Sequence, residues 1–188
     1  CKYIDIPFQH ISGNMLKIMR RGSTKDETIT LVNKLRGSIP DIAIRTTFLV
    51  GHPGETEQDF QELVDFVKSS AFDRVGVFKY SEEEGTYSAN NYPDKISSSV
   101  KNRRYNELME VQREISLTNN SKRIGNTYRI IVDRFEDEFV VGRTEYDSPE
   151  VDQEVLVKYD KKDKLEIGDF INVKITSCYD YDLIGEVK

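Results

Sequence analysis

Cysteine is scarce: the 188 residues hold two, Cys1 and Cys178. They are too few and too far apart for a disulfide scaffold or a close-spaced metal motif, so both are expected as free thiols. No apolar run approaches the roughly 20 residues of a membrane span. The opening CKYIDIPFQH has neither the basic start nor the small-residue cleavage site of a signal peptide. A cytoplasmic protein with no membrane partner is the expectation. Basic charge is in deficit too, and unevenly. Residues 1–123 carry 18 Lys and Arg against 17 Asp and Glu, whereas residues 124–188 carry 9 against 16, so the final third holds the whole net charge of -6 and more. Such a surface repels phosphate backbones at long range and attracts basic partners.

What is present centres on AIRTTFLVGHPGETEQDF, Ala43 to Phe60. Thr47, Phe48, Leu49 and Val50 suit a buried parallel strand, and Gly51, Pro53 and Gly54 stop it in a tight turn. Thr56 offers its hydroxyl as a helix N-cap, with Glu57 and Asp59 placing negative charge on the first turn, where the helix dipole favours it. Phe60, Leu63, Val64 and Val67 then follow at helical spacing, one apolar stripe that packs the helix back onto the strand. In such a unit the ligand sits at the carboxyl end of the strand.

Before this unit, Tyr3 to Phe8 reads as a short strand closed by Gln9 and His10. Ser12 caps a short helix with Met15, Leu16 and Met19 inward. Thr24 and Glu27 form a capping box for a helix with Ile29, Val32 and Leu35 on its apolar side. After it come a strand at Arg74 to Tyr80, the acidic loop Ser81 to Gly85, and a long helix from about Ser97 to Asn119 with Val100, Leu108, Val111 and Ile115 on one face. Alternating strands and helices of this kind build a parallel α/β sheet, open or curled into part of a barrel. From Thr127 the period changes to two. Strands are expected at Tyr128 to Asp133, Glu138 to Arg143, Glu154 to Lys158, Phe170 to Ser177 and Asp182 to Val187. With turns rich in Asp, Glu, Gly and Lys, they suggest a small antiparallel OB-like barrel. Two domains are expected, residues 1–121 and 122–188.

Gln9, Arg21 twelve residues later, Thr47 and the Gly-His-Pro-Gly-Glu-Thr turn resemble the second half of a radical S-adenosylmethionine barrel. More specifically, YIDIPFQHIS, RTTFLVGHPGETEQDF, FDRVGVFKYSEEEGT, GRTEYDSPEVDQEVLV, GDFINVKIT and YDLIGEV are similar to the methylthiotransferases, whose barrel is followed by a small TRAM barrel. The nearest likeness is to those that methylthiolate an aspartate of a small-subunit ribosomal protein. The resemblance implies S-adenosylmethionine as cofactor, held by Gln9, Arg21, Thr47, Gly51, Glu55 and Tyr80. A Gln can bond ribose hydroxyls, an Arg can pair with the methionine carboxylate, and a glycine turn lets backbone approach adenine.

The family binds one 4Fe-4S cluster through CxxxCxxC near the start of the barrel and a second through three cysteines of a preceding domain. Neither set is in this sequence. Two distant thiols cannot replace six. No catalytic residue and no metal ligand is therefore expected here, and the chain reads as a part that begins midway through the barrel, inactive alone, with the missing amino-terminal part as a partner.

Each position also fits a plainer role. Gln9 and His10 suit any strand end, Arg21 any helix carboxyl terminus, Thr47 any strand, and Glu55 any helix start; Tyr80 suits a solvated loop. The acidic terminal barrel favours a basic ribosomal protein over tRNA as the recognised macromolecule, because a barrel gripping tRNA gains much of its affinity from neutralising phosphates. A tRNA-modifying methylthiotransferase and a non-catalytic binding module remain the alternatives.

Overall fold

The computed structural model describes residues 1–159 and 164–188. These fall into two compact units, Ile4–Gln112, and Arg113–Lys188 with Cys1–Tyr3. Part of the turn expected between the third and fourth barrel strands lies outside the described residues.

The first unit is built on a three-stranded sheet of order β1-β2-β3, where β1 is Tyr3–Asp5, β2 Ala43–Val50 and β3 Arg74–Lys79. β2 and β3 run parallel, with Thr47 opposite Gly76 and Val50 opposite Lys79. Between β1 and β2 lie α1 (Gly13–Ile18) and α2 (Lys25–Ser38), and α3 (Glu57–Ser70) makes the crossover to β3. Each helix starts where the sequence places a cap. Ser12 accepts from the Met15 amide, Thr24 and Glu27 form a capping box, and Thr56 forms one with Asp59.

Alternation along β2 gives the sheet two different faces. Ile44, Thr46, Phe48 and Val50 are buried. Phe48 stands at the centre of an aromatic cluster with Phe66 of α3 and Phe72, at ring-centroid distances of 6.3 and 6.0 Å, which Phe8 joins. All four residues of the expected α3 stripe are buried there. Arg45, Thr47 and Leu49 take the other face, which is half-buried, and by register Gly76 and Phe78 of β3 share it. Phe78 is 61% exposed.

Beyond β3 come α4 (Tyr87–Asn91), a short helix absent from the sequence reading, and the long α5 (Ser98–Ser121). The buried ridge of α5 is not the expected one. Arg104, Leu108, Gln112, Ser116 and Asn120, spaced by four, are buried, while Val100, Val111 and Ile115 flank them half-exposed. Three of the polar residues on the ridge, Arg104, Gln112 and Asn120, meet backbone or carboxylate groups that accept from them. Gln112 donates to the Phe72 carbonyl at 3.1 Å, and within the second unit Asn120 donates to the carbonyls of Tyr179 and Asp180.

The second unit is a closed barrel of order β4-β5-β6-β8-β7, comprising β4 (Thr127–Glu136), β5 (Phe139–Arg143), β6 (Val155–Lys158), β7 (Phe170–Cys178) and β8 (Leu183–Val187). Five strands stand within a few residues of where the period of two puts them. One pairing corrects the all-antiparallel expectation: β6 and β8 run parallel, Val155 opposite Leu183 and Val157 opposite Gly185. The β7–β8 hairpin returns the chain to the free edge of β6, and only the parallel sense lets it close the ring. Ile130, Val132, Val140, Val155, Val157, Val173, Ile175 and Leu183 fill the interior. No helix among the described residues is long and apolar enough to cross a membrane.

Candidate functional site

The carboxyl ends of the three parallel strands form one rim. Gln9 bridges β2 at Phe48: its amide donates to the Thr47 carbonyl, and its carbonyl accepts from the Leu49 amide, both at 2.8 Å. Gly51 follows β2 directly. Tyr80 follows β3, its amide donating to the Val50 carbonyl at 2.9 Å.

Gln9 holds this place in the left-handed region, with φ of 69°. That conformation costs a non-glycine residue about 1 kcal/mol or more, and persists where its surroundings over-determine it. Here two β2 hydrogen bonds do so. Gly51 also has positive φ, 75°, and a Cβ there would stand 2.5 Å from Lys101 Cγ, so the turn admits no side chain.

Glu55 ties the rim together. One carboxylate oxygen, Oε2, accepts from the Gly51 amide at 2.5 Å and from Arg104 Nη1 at 2.6 Å; the other, Oε1, lies 3.1 Å from His10 Nε2. Because the Ser12 amide donates to His10 Nδ1, the imidazole proton sits on Nε2 and points at the carboxylate. The Glu55 and His10 side chains are fully buried, and Arg104 nearly so. Both oxygens of Glu55 are thus taken up by donors of the chain itself, and its geometry is that of a residue holding the turn.

Beside this network, Asp59 receives hydrogen bonds from Ser12, Asn14 and Thr56. Burial opposes its ionisation, but these donors outweigh burial and hold the carboxyl below the ordinary Asp range. His52 is buried with Nδ1 donating to the Pro53 carbonyl and Nε2 accepting from the Ser88 hydroxyl, both at 2.8 Å. Its ring meets Tyr80 edge-on at 4.8 Å. Burial pushes its pKa down.

Of the six residues singled out in the sequence, Gln9, Gly51, Glu55 and Tyr80 stand on the rim. Thr47 lies one step below it, on the half-buried sheet face opposite Gly76. Tyr80 is 8% exposed rather than in a solvated loop, and its hydroxyl has no hydrogen-bond partner among the described residues. Arg21 is exposed and lines a cleft of about 570 Å³ with Ile6, Pro7, Phe8 and Leu31, beside the residues that lead into Gln9. Its neighbour Arg20 instead stacks on Tyr87 at 4.5 Å, in the helix whose Ser88 holds His52. Sequence reasoning missed Arg104, His52 and Lys101. The signal for Arg104 was its place four residues before Leu108 on α5.

The radical SAM superfamily pattern matches residues 1–67 and the TRAM domain pattern residues 124–187. Across all of its length the chain is 50% identical to the ribosomal protein uS12 methylthiotransferase RimO of Bacteroides thetaiotaomicron and 52% identical to that of Phocaeicola vulgatus. The chain is a RimO homologue. It spans 43% of the length of each of these RimO relatives. A solved structure of coproporphyrinogen III oxidase (HemN) from Escherichia coli overlaps 63% of this chain and 27% of its own, with 14% identity and a TM-score of 0.48.

Proposed function

We propose that this chain forms the cofactor-holding rim and the substrate-docking barrel of a cytoplasmic enzyme that adds a methylthio group to an aspartate of ribosomal protein uS12. The reading rests on one observation above the others. A strained Gln9, a side-chain-free Gly51 and the Thr47–Gly76 face meet at the carboxyl ends of parallel strands, in a sequence half identical to RimO. These groups suit S-adenosylmethionine. A Gln amide has donor and acceptor for ribose hydroxyls, the Gly51 turn places backbone rather than a side chain at the strand end, and Gly76 leaves space beside Thr47 for an aliphatic chain. When bound, S-adenosylmethionine supplies hydrogen abstraction from an unactivated carbon and the methyl group.

Iron-sulfur clusters fit this chain differently. Among the described residues no group of three or more His, Cys, Asp or Glu is placed to hold a metal. The clusters of the whole enzyme belong, in this reading, to residues outside the chain, and no step is drawn through them.

What the chain does is bind and orient. Gln9 and the Gly51 turn fix the nucleoside, Thr47 lines the floor, and Arg21 offers a guanidinium for a carboxylate approaching past Pro7. The acidic barrel, with 16 acidic and 9 basic residues in 124–188, attracts a protein rich in Lys and Arg.

Two titrations test the reading. S-adenosylmethionine added to the 188-residue chain is expected to bind, and Gln9→Ala to weaken binding about tenfold, roughly one pair of hydrogen bonds. Purified uS12 is expected to bind with an affinity that falls as salt rises, whereas tRNA binds weakly. Salt-resistant binding of tRNA with none of uS12 would move the assignment to a tRNA-modifying enzyme. Binding of uS12 without S-adenosylmethionine would leave a docking module alone.

A further inference from the structure

The rim has no rigid backing of its own: the turn from Gly51 to Glu55 is a loop, and Gln9 is an isolated bridge rather than part of a strand. Its support comes from α5. Arg104 reaches Glu55 through two contacts of Nη1, to the carboxylate at 2.6 Å and to the backbone carbonyl at 3.2 Å, while Nη2 meets Glu57 at 3.2 Å. One turn earlier on the same helix, Lys101 lays its stem against the α-carbon of Gly51. Its ammonium group donates to the Tyr80 carbonyl at 3.0 Å and to Asp94 at 2.5 Å. Both side chains are largely buried, Lys101 at 11% exposure and Arg104 at 5%.

We propose that Arg104 and Lys101 are positioning residues: Arg104 locks the Gly51 turn through Glu55 and, through the Glu55–His10 bond, fixes its distance from Gln9, while Lys101 packs directly against Gly51. The inference deepens the cofactor reading above and rests on it for what the turn holds. Three facts carry it. A carboxylate this buried keeps its charge only against a paired cation, and Arg104 is the cation paired with it. The Gly51 amide is turned inward onto Glu55, so the orientation of the peptide units that follow depends on where Glu55 is held. His10 is adjacent to Gln9 in the chain, so a shift of the carboxylate is felt at both ligand-facing positions at once. The sequence of influence runs from α5 to Glu55, and from Glu55 to both sides of the rim.

The test compares the 188-residue chain with Arg104→Lys, Arg104→Met and Lys101→Met by site-resolved amide exchange and by S-adenosylmethionine titration. The Gly51 amide is expected to exchange about tenfold faster in Arg104→Met, while the amides of Phe48 and Val64 in the same unit keep their protection. Arg104→Lys is expected to restore part of the protection, because an ammonium supplies the charge but not the paired donors. Affinity for S-adenosylmethionine is expected to follow the Gly51 exchange rate across the series. Unchanged Gly51 exchange in both Met variants overturns the proposal. So does a uniform loss of protection over Gly51, Phe48 and Val64, which marks a merely stabilising contact. If the parent chain binds no S-adenosylmethionine, the cofactor reading fails, and the Gly51 amide still decides whether α5 sets the turn.

Discussion

Oε2 of Glu55 lies 2.6 Å from Nη1 of Arg104, 49 residues away, and the pair is closed off from solvent. Breaking one side of a buried ion pair leaves the other charge uncompensated, at about 3 kcal/mol. Glu55→Gln is therefore expected to lower the stability of the first unit by about that amount in urea titration. The double variant Glu55→Gln with Arg104→Met is expected to lose less than the two single losses combined.

Gln9→Gly removes the strain of a left-handed glutamine at φ 69°. Relief of that strain, set against the greater chain entropy of glycine, gives a gain of up to about 1 kcal/mol. Denaturant titration is expected to show Gln9→Gly at least as stable as the parent, and ligand titration to show it binding S-adenosylmethionine more weakly. A residue kept only for structure moves both measurements in the same direction.

Asp59 links the first turn of α3 to Ser12 and Asn14, and its carboxyl is held below the ordinary Asp value of 3.8. A depressed carboxyl pKa adds stability that is complete above the unfolded value and is lost as pH falls through the folded one. Asp59→Asn is expected to cost about 2 kcal/mol at neutral pH, since one of its two accepting oxygens becomes an NH2 group that faces donors it cannot accept from. The gap to the parent is expected to close below pH 3.8 in acid titrations of both proteins.

His52 is buried, and its pKa is depressed from 6.5. The same sign applies: the unfolded chain takes up the proton first, so the contribution is whole above pH 6.5 and declines as pH falls through the folded value. His52→Gln is expected to flatten the stability profile of the first unit between pH 6.5 and the folded pKa, measured by thermal melting across that range.

In the barrel, Gly142 and Gly185 lie where neighbouring strands leave no room for a side chain. A Cβ at Gly185 would stand 2.8 Å from the Lys174 carbonyl oxygen and closer still to Val173, and one at Gly142 would press on the Ile131 carbonyl oxygen. Backbone cannot give way as a flexible side chain does, so Gly185→Ala is expected to cost about 3 kcal/mol in the melting of the second unit.

Much of this architecture was legible because it is set by local chemistry. Thr24 with Glu27 and Thr56 with its acidic first turn announce helix starts through hydrogen bonds made within four residues. Alternation in β4 to β8 sorts side chains into core and surface before any strand has found a partner. What stayed hidden depends on distant partners. The polar ridge of α5 looks like a solvated face until Glu55 and Phe72 supply its acceptors. The parallel sense of β6 and β8 follows from ring closure, which no single strand records. Gln9 as a left-handed residue was equally invisible, since only the bridge to Phe48 holds it there. For Glu55 the sequence admits a helix-start role and a ligand role alike, and its two saturated oxygens favour the turn-holding one.

The parallel pairing of β6 with β8 also sets an order of events during synthesis on the ribosome. Residues 183–187 supply the seam of the ring, so the four strands made earlier remain an open sheet, with an unsatisfied edge at Val155–Lys158, until the last of the five emerges from the exit tunnel.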